Sequence, residues 1–141
     1  MELIINNLSK RFGEKLILDQ LSFSMKSGDF MALVGSSGSG KSTILRLVAG
    51  LDQPSSGSIT VDGTPVSGPG PDRGMVFQKY SLYPWLNAAE NVAFGMRLQR
   101  MKAAEIKERT AYFLEVVGLS AAATKLPREL SGGMQQRVAI A

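Results

Sequence analysis

The feature that most constrains the fold of this chain is a glycine- and serine-rich segment between two apolar segments of different period. An unbroken apolar run at residues 30–34 precedes it, which is typical of a strand buried on both faces of a parallel sheet. After it, apolar residues at helical spacing predict an amphipathic helix: Ile44, Leu47, Val48 and Leu51. Strand, glycine loop and helix in this order point backbone N–H groups and the positive end of a helix dipole at one place, where an anion binds.

The glycine segment has the spacing of a phosphate-binding loop. Gly35 and Gly40 lie five residues apart, and Lys41 and Ser42 follow. Glycine permits positive φ angles and lets the backbone approach phosphate oxygens closely. We expect Lys41 to reach the β- and γ-phosphates and the Ser42 hydroxyl to hold Mg²⁺. The predicted ligands are ATP and Mg²⁺, and the residues that bind them are Gly35, Ser36, Ser37, Gly38, Ser39, Gly40, Lys41, Ser42 and Thr43.

The alternative interpretation of this segment is a flexible linker, because linkers are also rich in glycine and serine. A chance match to the phosphate-loop pattern in a chain of this length is on the order of one in a few hundred. A linker also has no reason to lie between a buried strand and an amphipathic helix. The context therefore favours a phosphate site.

In the rest of the first half of the chain, the sequence pattern predicts short strands. Period-two apolar residues predict an antiparallel ribbon over residues 2–25, with a turn at Gly13 and Glu14. Further strands are predicted at residues 57–62 and 74–78, with a loop rich in proline and glycine between them.

In the second half of the chain, the sequence pattern predicts helices. Asn87 with Glu90 three residues later forms a plausible capping pair, and residues 79–129 are predicted to be a mostly helical insertion ending near Gly118 in its longer helix. A last helix is predicted to begin near Ser131.

A second serine and glycine motif lies at the start of that last helix. It reads Leu130-Ser131-Gly132-Gly133-Met134-Gln135-Gln136-Arg137 and can present N–H groups and a hydroxyl to an anion. Alone, it is equally well explained as an ordinary helix cap. Together with the phosphate loop it resembles the signature motif of ABC-transporter ATPases, and the resemblance extends from about Leu3 to the last residue.

The resemblance implies an α/β fold, the P-loop NTPase core of an ABC ATPase with an N-terminal antiparallel β-subdomain and a helical subdomain, incomplete at the C-terminus. Residues 1–141 would form a single partial domain. Within it, residues 1–78 would hold the β-subdomain and P-loop core, residues 79–129 the helical subdomain, and residues 130–141 the signature and the start of its helix.

The resemblance also assigns roles to residues outside the phosphate loop. Phe12 matches the aromatic that stacks on adenine, although a core residue of the ribbon explains it too. Gln78 matches the glutamine that touches Mg²⁺ and the attacking water, so with Lys41 it forms the predicted catalytic pair; its alternative is an ordinary loop residue. The signature residues would bind ATP held by a second ATP-binding subunit in a head-to-tail dimer: Ser131, Gly132, Gly133 and Gln135.

Three short segments resemble the ATPases of importers of nitrate, sulfonates and taurine: residues 68–74, 84–86 and 90–92. Residues 79–84 resemble those of sugar importers instead. The resemblance implies transmembrane permease subunits as partners and, indirectly, a solute-binding protein. Three aromatics are either core residues or part of the groove for the permease: Tyr80, Tyr83 and Trp85.

Hydrolysis of ATP requires a carboxylate near Mg²⁺ and a group that orients water. In the family an aspartate and a glutamate follow the signature helix, and a histidine comes later. Here no acidic residue follows Glu129 and the chain has 0 histidines. We therefore expect a front portion of an importer ATPase, or alternatively a nucleotide-binding module without turnover. The apolar run at residues 30–34 would lack neighbouring strands, which predicts marginal stability and aggregation.

Composition and charge limit the kinds of partner and environment that we expect for this chain. No stretch approaches the roughly 18 apolar residues of a membrane-spanning helix, so we expect a cytoplasmic chain that reaches the inner face of the membrane through permease subunits. With 0 cysteines there is no disulfide framework. The net charge of +4 is scattered along the chain, so we expect no nucleic-acid partner, although a non-transport ABC ATPase acting on nucleic acid is the third hypothesis.

Overall fold

The computed structural model describes residues 1–78 and 81–141, which form two compact units, Met1–Met75 and Val76–Ala141. The first unit holds four strands and one helix: β1 Glu2–Phe12, β2 Lys15–Lys26, α1 Lys41–Val48, β3 Ser56–Val61 and β4 Thr64–Pro65. The second holds three helices, α2 Ala88–Leu98, α3 Ala103–Val116 and α4 Gly132–Ile140, with short 3₁₀ turns at Ser120–Ala122 and Pro127–Glu129.

The predicted antiparallel ribbon is confirmed. The four strands lie in the order β2-β1-β3-β4, and all three neighbouring pairs are antiparallel. Phe12 pairs with Lys15 across the turn, where Gly13 has φ of +58°. A positive φ is inexpensive only for glycine, which explains why the chain reverses there. The predicted strand at residues 57–62 is confirmed as β3.

Helix α1 and the sheet share a hydrophobic core. Ile44 and Leu47 are the buried residues of α1, as the helical spacing predicted, and burial of a leucine side chain contributes about 2 kcal/mol. The other two predicted residues differ: Val48 is only partly buried, and Leu51 lies beyond the end of α1 and is 38% exposed. The buried members of this core are Ile5, Leu8, Leu18, Ile44, Leu47 and Ile59. Leu18 also lies beside Gly40, the N-cap of α1.

Two predicted strands are wrong. Residues 30–34 form no strand, and the side chains of Phe30 and Val34 are 95% and 94% exposed. Residues 74–78 also form no strand, and Gln78 is exposed. The physical reason is the same for both segments: a strand forms only with a hydrogen-bonding neighbour, and within residues 1–78 and 81–141 no strand pairs with either of them.

The helices of the second unit have the predicted ends. Asn87 caps α2 in the predicted capping box with Glu90, and Gly118 follows α3 with φ of +67°. Ser131 is the N-cap of α4, where the last helix was predicted to begin. The three helices enclose a second core whose buried members are Ala88, Val92, Leu114, Leu119, Ala122, Leu130 and Val138. The prediction of a mostly helical segment is therefore confirmed for its described residues.

The predicted division at residues 78 and 129 remains a prediction, since the structure divides the chain into compact units and not into functional parts. In the described part of the chain, no helix is both long enough and apolar enough to cross a membrane.

Candidate functional site

The glycine loop makes an irregular turn that leads directly into α1. Residues 31–36 have no regular structure, and Gly38 and Gly40 have φ of +81° and +89°. A side chain at Gly40 would place its Cβ 2.8 Å from Cδ2 of Leu18, and one at Gly35 would lie 2.7 Å from Oγ of Ser39. Both the positive φ and the crowding by Leu18 therefore favour glycine at position 40, whereas at position 35 the Ser39 hydroxyl would have to rotate away.

The N-terminus of α1 is prepared for an anion. Gly40 is its N-cap, no side chain caps the helix, and its first turn contains no acidic residue. The first N–H groups of a helix have no partner within the helix, and the helix dipole adds positive potential there. The amides of Lys41, Ser42 and Thr43 therefore form an electropositive end that a phosphate group fits.

The side chain of Lys41 lies over the same loop. Its Nζ donates hydrogen bonds to the carbonyl oxygens of Gly35 at 2.8 Å and Ser36 at 2.6 Å, and to Oγ of Ser39 at 3.2 Å. The loop carbonyls thus hold the ammonium at the site where the helix amides converge. An ammonium beside free amides is the donor set that phosphate oxygens require.

The residues that fit a metal ion here are few. Ser42 is exposed in the first turn of α1. Across residues 1–78 and 81–141 no group of three or more His, Cys, Asp or Glu side chains is arranged to hold a metal. One hydroxyl is sufficient for Mg²⁺, because this metal ion needs few ligands from the protein: it keeps several waters and binds the phosphates of its nucleotide.

Phe12 lies at the end of β1 in the same unit as the glycine loop. Its ring is 50% exposed, and the ammonium of Lys10 lies 4.9 Å from the ring centroid. The interpretation of Phe12 as a core residue of the ribbon is therefore wrong. An aromatic ring with one accessible face fits a planar base.

The signature residues lie at the start of α4. Oγ of Ser131 accepts a hydrogen bond from the backbone N–H of Met134 at 3.4 Å, and Ser131 and Gly133 are exposed. A side chain at Gly133 would meet nothing within 4 Å. Gln135 is engaged differently, because its Nε2 donates to the carbonyl oxygens of Pro127 at 2.8 Å and Leu130 at 3.1 Å. That amide fixes the turn before α4, and its predicted contact with nucleotide stays a prediction.

Gln78 and the signature belong to the second unit, and the glycine loop and Phe12 belong to the first. Gln78 is exposed at the end of residues 76–78, which carry no regular structure.

The aromatics predicted for the permease groove have different environments. Tyr83 lies 4.3 Å from the ring of Phe94 and 5.6 Å from that of Trp85, measured between centroids. Trp85 is 71% exposed, so it is not a core residue. Tyr80 lies outside the described residues.

Sequence reasoning missed an ion pair next to Phe12. Nζ of Lys10 donates to Oδ1 of Asp52 at 2.7 Å and to the carbonyl oxygen of Gln53 at 2.6 Å. The hydrogen bond from Lys10 lowers the pKa of the Asp52 carboxyl below its ordinary value, with help from the backbone N–H of Gln53 and the charge of Arg46. The two residues lie 42 positions apart, so local spacing carried no signal of their contact.

The glycine loop at the start of α1 places the chain in the class of P-loop proteins. Residues 18–141 match the family model described as ABC transporter. The chain therefore belongs to the ABC transporter family, as the resemblance of its two motifs predicted.

The relatives that the chain resembles are import ATP-binding proteins. It is 52% identical over 145 residues to a nitrate import ATP-binding protein of Synechocystis sp., with coverage of 100% of this chain and 54% of that protein. It is 46% identical over 127 residues to a taurine import ATP-binding protein of Sinorhizobium fredii, covering 90% of this chain and 48% of that protein. The chain thus spans about half the length of the curated relatives it matches.

A solved structure shows the same fold. The dimeric structure of a post-hydrolysis state of an ATP-binding cassette, bound to ADP and Pi, matches with a TM-score of 0.85 and 34% identity. The match covers 98% of this chain and 67% of that one. The predicted ABC ATPase fold is therefore confirmed for the portion of the fold that this chain spans.

Proposed function

We propose that this chain is the ATP-binding portion of the subunit that powers an ABC importer for a small solute of the nitrate, sulfonate or taurine type. The observation that carries the proposal is the glycine loop, with its positive φ angles, its uncapped helix end and the ammonium of Lys41 held over it. Family membership of residues 18–141 supports ATP as the nucleotide. The import proteins named above support the direction of transport and the solute class.

Each predicted residue has a role in this proposal. The loop amides donate hydrogen bonds to the β- and γ-phosphates, the ammonium of Lys41 offsets their charge, and the hydroxyl of Ser42 would hold Mg²⁺. When bound, Mg²⁺ would supply further charge neutralisation at the phosphates. Phe12 stacks on the adenine, and the role of Gln78 toward Mg²⁺ and the attacking water stays a prediction from the family resemblance.

The signature acts on a second subunit. Ser131 and Gly133 are exposed at the N-terminus of α4, and a side chain at Gly133 would meet nothing within 4 Å. We propose that they meet the γ-phosphate of ATP bound by the partner subunit in a head-to-tail dimer. The dimeric form of the solved cassette is consistent with this arrangement. The exposed Trp85 with Tyr83 offers an aromatic surface for a permease subunit, which would bring the chain to the membrane.

Direct binding of ATP tests the proposal. Calorimetric titration of the 141-residue chain with MgATP is expected to give saturable binding that Lys41→Ala weakens about tenfold or more, because a charge-assisted hydrogen bond is worth about 1.5–3 kcal/mol. Lys125→Ala, which removes an exposed lysine of the second unit, is the matched control and should bind like wild type. Equal affinity of wild type and Lys41→Ala would refute the phosphate site.

Turnover is a separate question. Because no acidic residue follows Glu129 in this sequence, we expect phosphate release by the chain to be no faster than by Lys41→Ala. Turnover well above that of Lys41→Ala would show that the family's carboxylates are dispensable here.

A further inference from the structure

A buried lysine lies beside the aromatic ring at the base end of the proposed site. Lys10 is 9% exposed on β1, two residues before Phe12, and its side chain lies over the Phe12 ring. Its ammonium lies 4.9 Å from the centroid of the Phe12 ring. This distance is within the range in which a cation and a ring face attract each other.

Two hydrogen-bond acceptors also hold the ammonium of Lys10. Lys10 donates to Oδ1 of Asp52 at 2.7 Å and to the carbonyl oxygen of Gln53 at 2.6 Å, and the two side chains of the ion pair are 11% and 22% exposed. Arg46 adds a second cation 3.9 Å from the other carboxylate oxygen. A cation with two such partners has little freedom to leave the ring.

The backbone of the same strand segment is held on both sides. Oγ of Ser9 accepts from the N–H of Gln20 on β2 at 2.9 Å, and Oγ of Ser55 accepts from the N–H of Arg11 at 2.9 Å. The N–H of Ser55 donates in turn to the carbonyl oxygen of Ser9 at 2.9 Å. The strand is irregular here, with register shifts between Leu8 and Lys10 and between Lys10 and Arg11. These contacts keep the irregular segment in one conformation.

We propose that Lys10 and Asp52 are positioning residues that hold the ring of Phe12 with one face against the ammonium and its accessible face toward a purine base. A ring restrained before the base arrives loses less rotamer freedom on binding, so the pair strengthens binding of the base and not of the phosphates. Asp52 lies four residues after α1, the helix that begins at the glycine loop. In this proposal one end of α1 leads to the phosphates and the other leads to the residue that positions the ring for the base. The inference rests on the proposed function, in which Phe12 stacks on adenine.

The experiment compares ligands with and without a base. Lys10→Met and Asp52→Asn are titrated calorimetrically with MgATP and, separately, with inorganic tripolyphosphate and Mg²⁺. We expect both variants to bind ATP about 3- to 10-fold more weakly than wild type, the range that a cation–ring contact of moderate strength supports. Binding of tripolyphosphate is expected to be unchanged.

Three further variants separate positioning from other causes. Lys15→Met removes an exposed lysine that pairs with Phe12 across the turn, so it controls for loss of one positive charge near the ring. Lys10→Arg keeps the cation and is expected to restore most of the ATP affinity. In a Phe12→Ala background, Lys10→Met should have no further effect on ATP binding, because the ring through which it acts is gone.

Each possible outcome decides between the proposals. If Lys10→Met weakens ATP and tripolyphosphate equally, or still weakens ATP in the Phe12→Ala background, the pair merely supports the fold and the inference is overturned. If Lys10→Met does not fold, the isosteric Asp52→Asn provides the same comparison. If wild type binds ATP in a Lys41-dependent manner but no variant acts selectively on the base, only the inference fails. If wild type binds neither ligand, the proposed function fails and the inference falls with it.

Discussion

Asn87 and Glu90 cap α2 reciprocally. Oδ1 of Asn87 accepts from the backbone N–H of Glu90 at 2.8 Å, and Oε2 of Glu90 accepts from the backbone N–H of Asn87 at 2.9 Å. Two amide groups that the helix leaves without partners are thereby satisfied. The helix start is fixed just after the segment that carries Trp85, so the proposed permease surface rests on a defined helix end.

Asn87→Ala is expected to lower the free energy of unfolding by about 1 kcal/mol, the usual cost of losing a polar N-cap. Urea unfolding followed by circular dichroism measures this cost. Ala89→Ser, a similarly small change two residues along in the same helix, is the control and should cost less. An unchanged urea midpoint for Asn87→Ala would mean that the capping box does not stabilise the helix in solution.

Gly40→Ala is expected to damage both stability and nucleotide binding. The left-handed conformation at φ of +89° costs an alanine about 1–2 kcal/mol, and the added Cβ would lie 2.8 Å from Leu18. The loop must shift to relieve this contact, so we expect ATP affinity to fall at least tenfold. Gly63→Ala is the matched control, since Gly63 also has a positive φ, of +76°, but open space around its Cβ. It should lose stability alone, and a parallel loss of ATP binding would contradict the geometric argument.

The ion pair of Lys10 and Asp52 predicts a pH dependence of stability. The hydrogen bond from Lys10 holds the pKa of Asp52 below its ordinary value in the folded chain. A carboxyl of this kind stabilises the fold at pH values above its unfolded pKa, near 4, and the contribution disappears as the pH falls through the lower folded pKa. The difference in free energy of unfolding between wild type and Asp52→Asn is therefore expected to be largest near neutral pH and to shrink below about pH 4.

Urea titrations at several pH values from neutral to acid measure this difference. Asp19→Asn, which changes an exposed aspartate of β2, controls for the general effect of removing one carboxylate. A difference between wild type and Asp52→Asn that stays constant over the whole pH range would show that the pair does not contribute through its charge.

Ser131→Arg is expected to leave ATP binding by a single subunit within about twofold of wild type, while preventing association of two subunits. The reason is steric: Ser131 is exposed at the end of α4 that we propose closes over a partner's nucleotide. Calorimetry at low protein concentration measures binding, and sedimentation with a non-hydrolysed ATP analogue measures association. Ala121→Arg, an exposed position in the same unit, is the control. Loss of ATP binding by dilute Ser131→Arg would place the signature at the chain's own nucleotide instead.

Local patterns were sufficient for the elements whose partners are near in sequence. The hairpin of β1 and β2, the helix after the glycine loop and the capped start of α2 each carry a local sequence signal, and each was predicted. Residues 30–34 have the composition of a buried strand, yet a strand requires partners that can come from anywhere in a chain. Composition alone could not reveal whether those partners are present.

In the candidate site too, local motifs could be predicted from the sequence, whereas contacts between distant residues could not. The glycine loop and the cap at Ser131 are local motifs and were recognised from spacing, whereas the role of Phe12 toward adenine stays a prediction. The contact of Lys10 with Asp52 joins β1 to the segment after α1 and required the folded backbone. The engagement of Gln135 with the turn before α4 was hidden for the same reason, because a motif gives the residue but not its hydrogen-bond partners.

The close approach of Leu18 to Gly40 also limits how this protein can be engineered. Leu18 belongs to the hydrophobic core, and its Cδ2 occupies the space that a side chain at Gly40 would need. A library that enlarges residue 18 to improve packing would push on the loop, whereas one that shrinks it would leave a cavity under the loop. Selection for thermal stability at that position is therefore also selection on ATP affinity, and the two traits cannot be optimised independently there.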